Sequence, residues 1–94
     1  MAGYSFEFDP EKNVLLKKER GIGFEEIIAL IESGKLINIL GHPNKKKYPH
    51  QFIYEVDVGG YVYIVPFVKH ESRIFLKTIH PSRKATKKHQ RVTV

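Results

Sequence analysis

The residues most able to do chemistry are basic and gather late in the chain. Arg73 and Lys77 lie two positions on either side of Phe75, so on a strand they share one face, and His80, Arg83, Lys84 and Lys87 follow. A strand end that leads into a short helix brings these side chains to one place. His50 opens the alternating run that precedes them. Lys and Arg neutralise phosphate charge, and His exchanges protons near neutral pH. Cleavage of RNA by its own 2′-hydroxyl needs this kit: a base for the hydroxyl, cations on the pentacovalent phosphate, and an acid for the leaving oxygen. His50 or His80 suits the acid/base role, Lys77 and Arg83 the charge-stabilising role, and Arg73, Lys84 and Lys87 phosphate contact. The plainer reading of the same cations is a solvated surface, and spacing alone argues for binding more directly than for catalysis.

Other chemistries fit less well. The chain has no Cys, which removes disulfide scaffolds, thiolate zinc sites and thiol nucleophiles together. Its histidines stand at 42, 50, 70, 80 and 89, with no HxH or HxxxH pair, so neither a metal site nor a cofactor is expected. Glu25 and Glu26 fall on the wet face of a helix, while Glu7, Asp9 and Glu11 surround a helix start. Gly21-Ile22-Gly23 separates two helices with no strand before it, so it is no phosphate-cradling loop. Tyr54, Tyr61, Tyr63, Phe67 and Phe75 invite base stacking, but core packing is the stronger explanation for most of them.

The elements that must position these residues are legible in outline. The 94 residues make a single domain, and the net charge of +6 is uneven. Residues 1–35 hold five basic and seven acidic side chains, net −2, whereas residues 36–94 hold eleven and three, net +8. That asymmetry points to a polyanionic partner, of which nucleic acid is the commonest. Asp9-Pro10 starts a helix to Arg20, with Gly21 as its C-terminal cap. A second helix starts at Gly23, with Glu26 in the capping-box position and Phe24, Ile27, Ile28 and Ile31 on one face. Leu36–Leu40 reads as an edge strand and Gly41–Lys47 as a polar loop. Gln51–Asp57, Tyr61–Val68 and Arg73–Ile79 read as an antiparallel meander turned at Gly59-Gly60 and His70-Glu71-Ser72. Pro66 predicts a bulge or an early strand end. A basic helix follows from Ser82 or Pro81, and residues 91–94 are expected to fray. The expected class is α+β: two N-terminal helices packed on a three- to four-stranded antiparallel sheet, then a short C-terminal basic helix, with the helices on one face of the sheet. The longest apolar run, residues 61–68, is too short to cross a membrane as a helix, and no signal-peptide pattern opens the chain. A cytoplasmic location without membrane contact is expected.

Phe8-Asp9-Pro10-Glu11-Lys12-Asn13, with Lys18 and Arg20-Gly21-Ile22-Gly23-Phe24-Glu25-Glu26, resembles the N-terminal signature of BrnT-type toxins. There a W/F-D-x-x-K-N helix leads into K-H-G-V-S-F-E-E. Gly60–Val65, Arg73–Lys77 and Pro81-Ser82-Arg83-Lys84-Ala85 are similar to that family's last strands and its R-I-I-S-A-R-x-A ending. This chain departs in carrying Phe8 for the tryptophan, Gly23 for the serine cap, and Lys77-Thr78 where S-A-R would stand. The resemblance covers most of residues 6–90. It implies a RelE/ParE-like fold and a toxin of a type II toxin-antitoxin system: an mRNA interferase, a metal-independent ribonuclease that causes translation inhibition. It further implies a small DNA-binding antitoxin as partner, and RNA, free or on the ribosome, as substrate. By position it adds Lys12, Lys18 and Arg20 to the RNA-binding set. A non-enzymatic toxin of the same fold acting on a protein target such as gyrase, or a plain nucleic-acid-binding module, is the alternative.

Overall fold

The computed structural model describes the backbone of residues 4–92 and the side chains of residues 4–89. The chain order is β1 (Ser5–Phe8), α1 (Pro10–Arg20), α2 (Phe24–Glu32), β2 (Leu36–Gly41), β3 (Gln51–Val58), β4 (Tyr61–His70), β5 (Arg73–Leu76), β6 (His80–Pro81) and α3 (Arg83–Val92). The class is α+β, as the pattern of elements predicts.

The helical boundaries follow from local chemistry. Asp9 Oδ1 accepts from the Glu11 N–H at 2.9 Å, Pro10 opens α1 where its missing donor is no loss, and Gly21 closes it in the left-handed region at φ 73°. At α2 the Glu26 carboxylate accepts from the Gly23 N–H at 3.1 Å, which is half of a capping box. Gly23 has no side chain for the other half. Asn13, buried in α1, caps another first-turn N–H instead: its Oδ1 accepts from the Phe24 N–H at 2.7 Å and its Nδ2 donates to Glu25 at 2.9 Å. A Cβ on Gly23 would meet Asn13 Oδ1 at 2.7 Å and Lys17 Cε at 2.5 Å, so the glycine is where one helix approaches the next.

The sheet is mixed and six-stranded, in the order β1-β5-β4-β3-β2, with β6 also on β4. It departs from the expected three- to four-stranded antiparallel sheet at its edge, where β1 pairs parallel with β5. Tyr4, Phe6 and Phe8 alternate with Ser5 and Glu7, so β1 has a strand pattern, but its partner lies about seventy residues away and pairing depends on tertiary contact. On the helix side Phe52, Tyr54 and Val56 of β3, Val65 and Phe67 of β4, and Ile74 and Leu76 of β5 pack with Leu16, Phe24 and Ile27 in one core.

Pro66 forces neither a bulge nor an early end. It lies inside β4 opposite Ile53, and its carbonyl accepts the Lys77 N–H at 2.8 Å. A strand residue's N–H and C=O point to the same neighbour, so the missing donor faces the gap between β5, which ends opposite Phe67, and β6, which begins opposite Ile64. The third strand of the meander therefore splits, and Lys77–Ile79 leave β4 where proline has no donor to offer.

Nor do all helices lie on one face. Glu55 alternates with core residues Tyr54 and Val56 and so belongs to the opposite face, where α3 packs. Its nearly buried carboxylate meets His89 Nε2 at 2.9 Å and Lys88 Nζ at 3.5 Å. Thr86 Oγ1 accepts from the Val62 N–H at 2.8 Å, and Ser82 Oγ caps the helix by accepting the Ala85 N–H at 3.0 Å. The α3 backbone stays helical through residues 91 and 92, where fraying is expected; 93 and 94 lie outside the described residues.

Candidate functional site

The two-residue Gly59-Gly60 turn fixes the β3–β4 register, and that register brings His50 beside the end of β4. The Lys69 N–H donates to the His50 carbonyl at 2.9 Å, and the His50 and His70 rings lie 5.9 Å apart, centroid to centroid. His70 in turn pairs with Arg73, the first residue of β5. Residues directly opposite in a ladder present their side chains on the same face. His70 and Arg73 therefore share a face, while the His50 ring reaches His70 from the neighbouring register position, opposite Lys69. The three make a row across one end of the sheet, and all are exposed.

Arg73 is not idle in this row. Its Nε and Nη2 donate to both carboxylate oxygens of Glu7 on β1, at 2.9 and 3.0 Å. That hydrogen-bonded guanidinium holds the Glu7 carboxyl below its ordinary range, and the Glu7 carboxylate raises Arg73 correspondingly. Lys69, opposite His50 in the ladder and next to His70 in the chain, donates its ammonium to the Tyr4 hydroxyl at 3.2 Å.

A second basic cluster stands at the other end. His80 is half-buried in β6, and loss of water, then the charges of Arg20 and Lys12, hold its imidazole below the ordinary value of 6.5. Lys12 and Arg20 of α1 thus reach the same neighbourhood as His80. Arg83 follows at the start of α3; Lys84 and Lys87 are exposed on that helix, and Lys84 borders a groove of about 310 Å³ between α3 and the sheet. Lys18 is exposed on α1.

Sequence placed His50 and His80 as alternatives for one role; the fold puts them at different sites. His50 aligns with Lys69 and His80 with Ile64, five residues down β4, or roughly 16 Å at strand rise. Lys77 aligns with Pro66 between them. Of the aromatics, Tyr54 and Phe67 stack at 4.0 Å in the core, and burial pushes the Tyr54 hydroxyl up. Tyr63 also packs against the core, whereas Tyr61 and Phe75 keep substantial exposure.

His70 is the residue that sequence reasoning missed. It reads as a turn residue, yet a two-residue hairpin at Gly59-Gly60 pairs position 50 with 69, and that arithmetic was available in the chain. Also missed is the β2–β3 loop, where Tyr48 and His42 pack ring to ring at 4.4 Å beside Lys45, Lys46 and Lys47.

Among the described residues no three His, Asp or Glu side chains converge to hold a metal ion. A larger groove of about 510 Å³ opens on the helix side of the sheet, floored by Phe52, Tyr54 and Phe67 with Lys69 and Glu32 among its lining residues. Its lining is mainly apolar and contains no histidine. No family model matches the chain, and neither a curated protein nor a solved structure matches it.

Proposed function

We propose that this protein is a ribonuclease toxin of a type II toxin-antitoxin system, cutting RNA without a metal at the row formed by His50, His70 and Arg73. The observation that carries the reading is the spacing of the two imidazoles, 5.9 Å between ring centroids beside a guanidinium. In transesterification the attacking 2′-oxygen and the leaving 5′-oxygen lie on opposite sides of phosphorus. A phosphate resting against the solvent edges of the two rings is to present the 2′-hydroxyl to one imidazole and the 5′-oxygen to the other, each at the roughly 2.6–3.2 Å that proton transfer requires. One ring takes the 2′-hydroxyl proton as the P–O2′ bond forms. The other delivers a proton to the 5′-oxygen as the P–O5′ bond breaks, leaving a 2′,3′-cyclic phosphate. Arg73, released from Glu7, stabilises the added charge on the phosphorane. DNA, lacking the 2′-hydroxyl, offers no nucleophile.

Lys77, His80, Arg83, Lys84 and Lys87, with Lys12, Lys18 and Arg20, are assigned to the RNA backbone, whose attraction supplies affinity and fast encounter. The toxin assignment and the small DNA-binding antitoxin rest on the sequence resemblance. One observation favours the non-enzymatic reading, that of a nucleic-acid-binding or protein-inhibiting module: Arg73 is already paired with Glu7.

The deciding experiment incubates the purified chain with RNA in chelator, alone and with ribosomes, and examines the new ends. Cyclic phosphate termini are expected. His50→Ala and His70→Ala should each slow cleavage by about a hundredfold or more, the usual loss for a general acid or base. Intact RNA under both conditions, or variants that cut as fast as the parent, would overturn the proposal. A small DNA-binding protein encoded next to this chain and copurifying with it is the matching genetic expectation.

A further inference from the structure

The β2–β3 connection is a long loop, residues 42–50, yet it is tightly ordered by its own groups. Asn44 organises it: its backbone N–H donates to His42 Nδ1 at 3.0 Å, its Oδ1 accepts from the Lys47 N–H at 3.1 Å, and its carbonyl accepts from the Tyr48 N–H at 3.0 Å. Because His42 Nδ1 accepts a hydrogen bond, its Nε2 carries the proton in the neutral ring. The His42 N–H closes the loop on the Gln51 carbonyl at 3.0 Å. The half-exposed Tyr48 holds its ring against His42, and the Lys47 ammonium lies 5.5 Å from the ring centroid. Gly41 lets Lys45 fold back over the strand: a Cβ there would sit 3.1 Å from Lys45 Cε. The result is a groove of about 370 Å³ bordered by His42, Lys45, Tyr48 and Gln51, with Lys46 and Lys47 exposed on the same loop.

We infer that this loop is a binding platform for single-stranded RNA: a base enters the groove and stacks on Tyr48, while flanking phosphates rest on Lys45, Lys46 and Lys47. The inference rests on the reading of the protein as one that acts on RNA. The combination is what single strands need, an aromatic face for an unpaired base and cations that track the backbone. A duplex hides its base faces and offers nothing to Tyr48. The position also fits, because Tyr48 stands two residues before His50, at most about 7 Å of chain. A strand that places one phosphate between His50 and His70 thus carries a neighbouring base to the loop.

The test titrates the full chain with a labelled 2′-O-methyl oligonucleotide, which cannot be cut, as a single strand and as a duplex. The single strand should bind more tightly. Tyr48→Ala should weaken it about tenfold or more, the loss expected for one stacked base, and Tyr48→Phe should bind like the parent. Replacing Lys45, Lys46 and Lys47 by Ala should reduce the slope of log K against log salt by about 2. Should Tyr48→Ala lower the melting temperature, Tyr48→Leu keeps apolar bulk without a π-face and is expected to bind as weakly. Preference for duplex, equal binding by Tyr48→Leu, or an unchanged salt slope overturns the platform. Single-strand binding through Tyr48 by a protein that cuts no RNA sinks the ribonuclease reading alone. His50-dependent cleavage with Tyr48→Ala binding and cutting normally sinks the platform alone.

Discussion

Each titrating residue reports its surroundings. His80 is harder to protonate in the fold than in the unfolded chain, first because it loses water and then because Arg20 and Lys12 are near. Between its lowered folded value and the ordinary 6.5 the unfolded chain binds more protons, so this contribution to stability is present above that ordinary value and is lost as pH falls through the folded one. The melting temperature should fall on acidification from about pH 7 toward 5, and His80→Gln should flatten that stretch. A parent protein whose melting temperature ignores pH there would refute it. Glu7 and Glu25, depressed by Arg73 and by Asn13 respectively, act in the same direction but only below their ordinary 4.5, so the two windows separate. The Glu7–Arg73 pair is exposed, where water screens the attraction and such pairs add little stability. Glu7→Gln should therefore barely change the melting temperature. It frees Arg73, so RNA binding should tighten and become more salt-dependent; unchanged binding would mean that Arg73 does not touch the substrate.

At the scale of elements, local signals were the readable ones. Asp9-Pro10, Gly21 and Glu26 cap helices through contacts within four residues, and α1 and α2 start and stop where those residues say. The Asn13 contribution to the α2 cap was not readable, because Asn13 comes from another helix. Asn13→Ala leaves the Phe24 N–H buried without a partner, a loss of about 1–3 kcal/mol. A drop of several degrees in melting temperature is expected, and no drop would show that water replaces the cap. Gly23→Ser should also destabilise, since its Cβ meets Asn13 and Lys17. On the other face, Thr86→Val removes the acceptor for the buried Val62 N–H and should loosen α3, measured as faster amide exchange at Val62.

For the whole molecule, the ladder decides what can work together. His50, His70 and Arg73 come from three segments and gather at one end of the sheet because β3, β4 and β5 are neighbours; His80 is excluded by about five residues of strand rise. The positive charge likewise divides between the His80 end, the outer face of α3 and the β2–β3 loop. An RNA long enough to cover the sheet should bind with a steeper salt dependence than a trinucleotide, because it neutralises more cations. Equal slopes would confine binding to one cluster.

Composition, caps and alternation determined by themselves the α+β class, both N-terminal helices, the hairpin at Gly59-Gly60, the basic character of the second half and His50 as a reactive candidate. Each depends on residues close in sequence or on totals. Tertiary structure alone decided that β1 joins β5 in parallel, that Pro66 falls in the gap between β5 and β6, that α3 covers the far face, and that His70 rather than His80 faces His50. Those outcomes depend on pairing between distant segments, where a hydrogen-bond register sets distances that spacing along the chain does not contain.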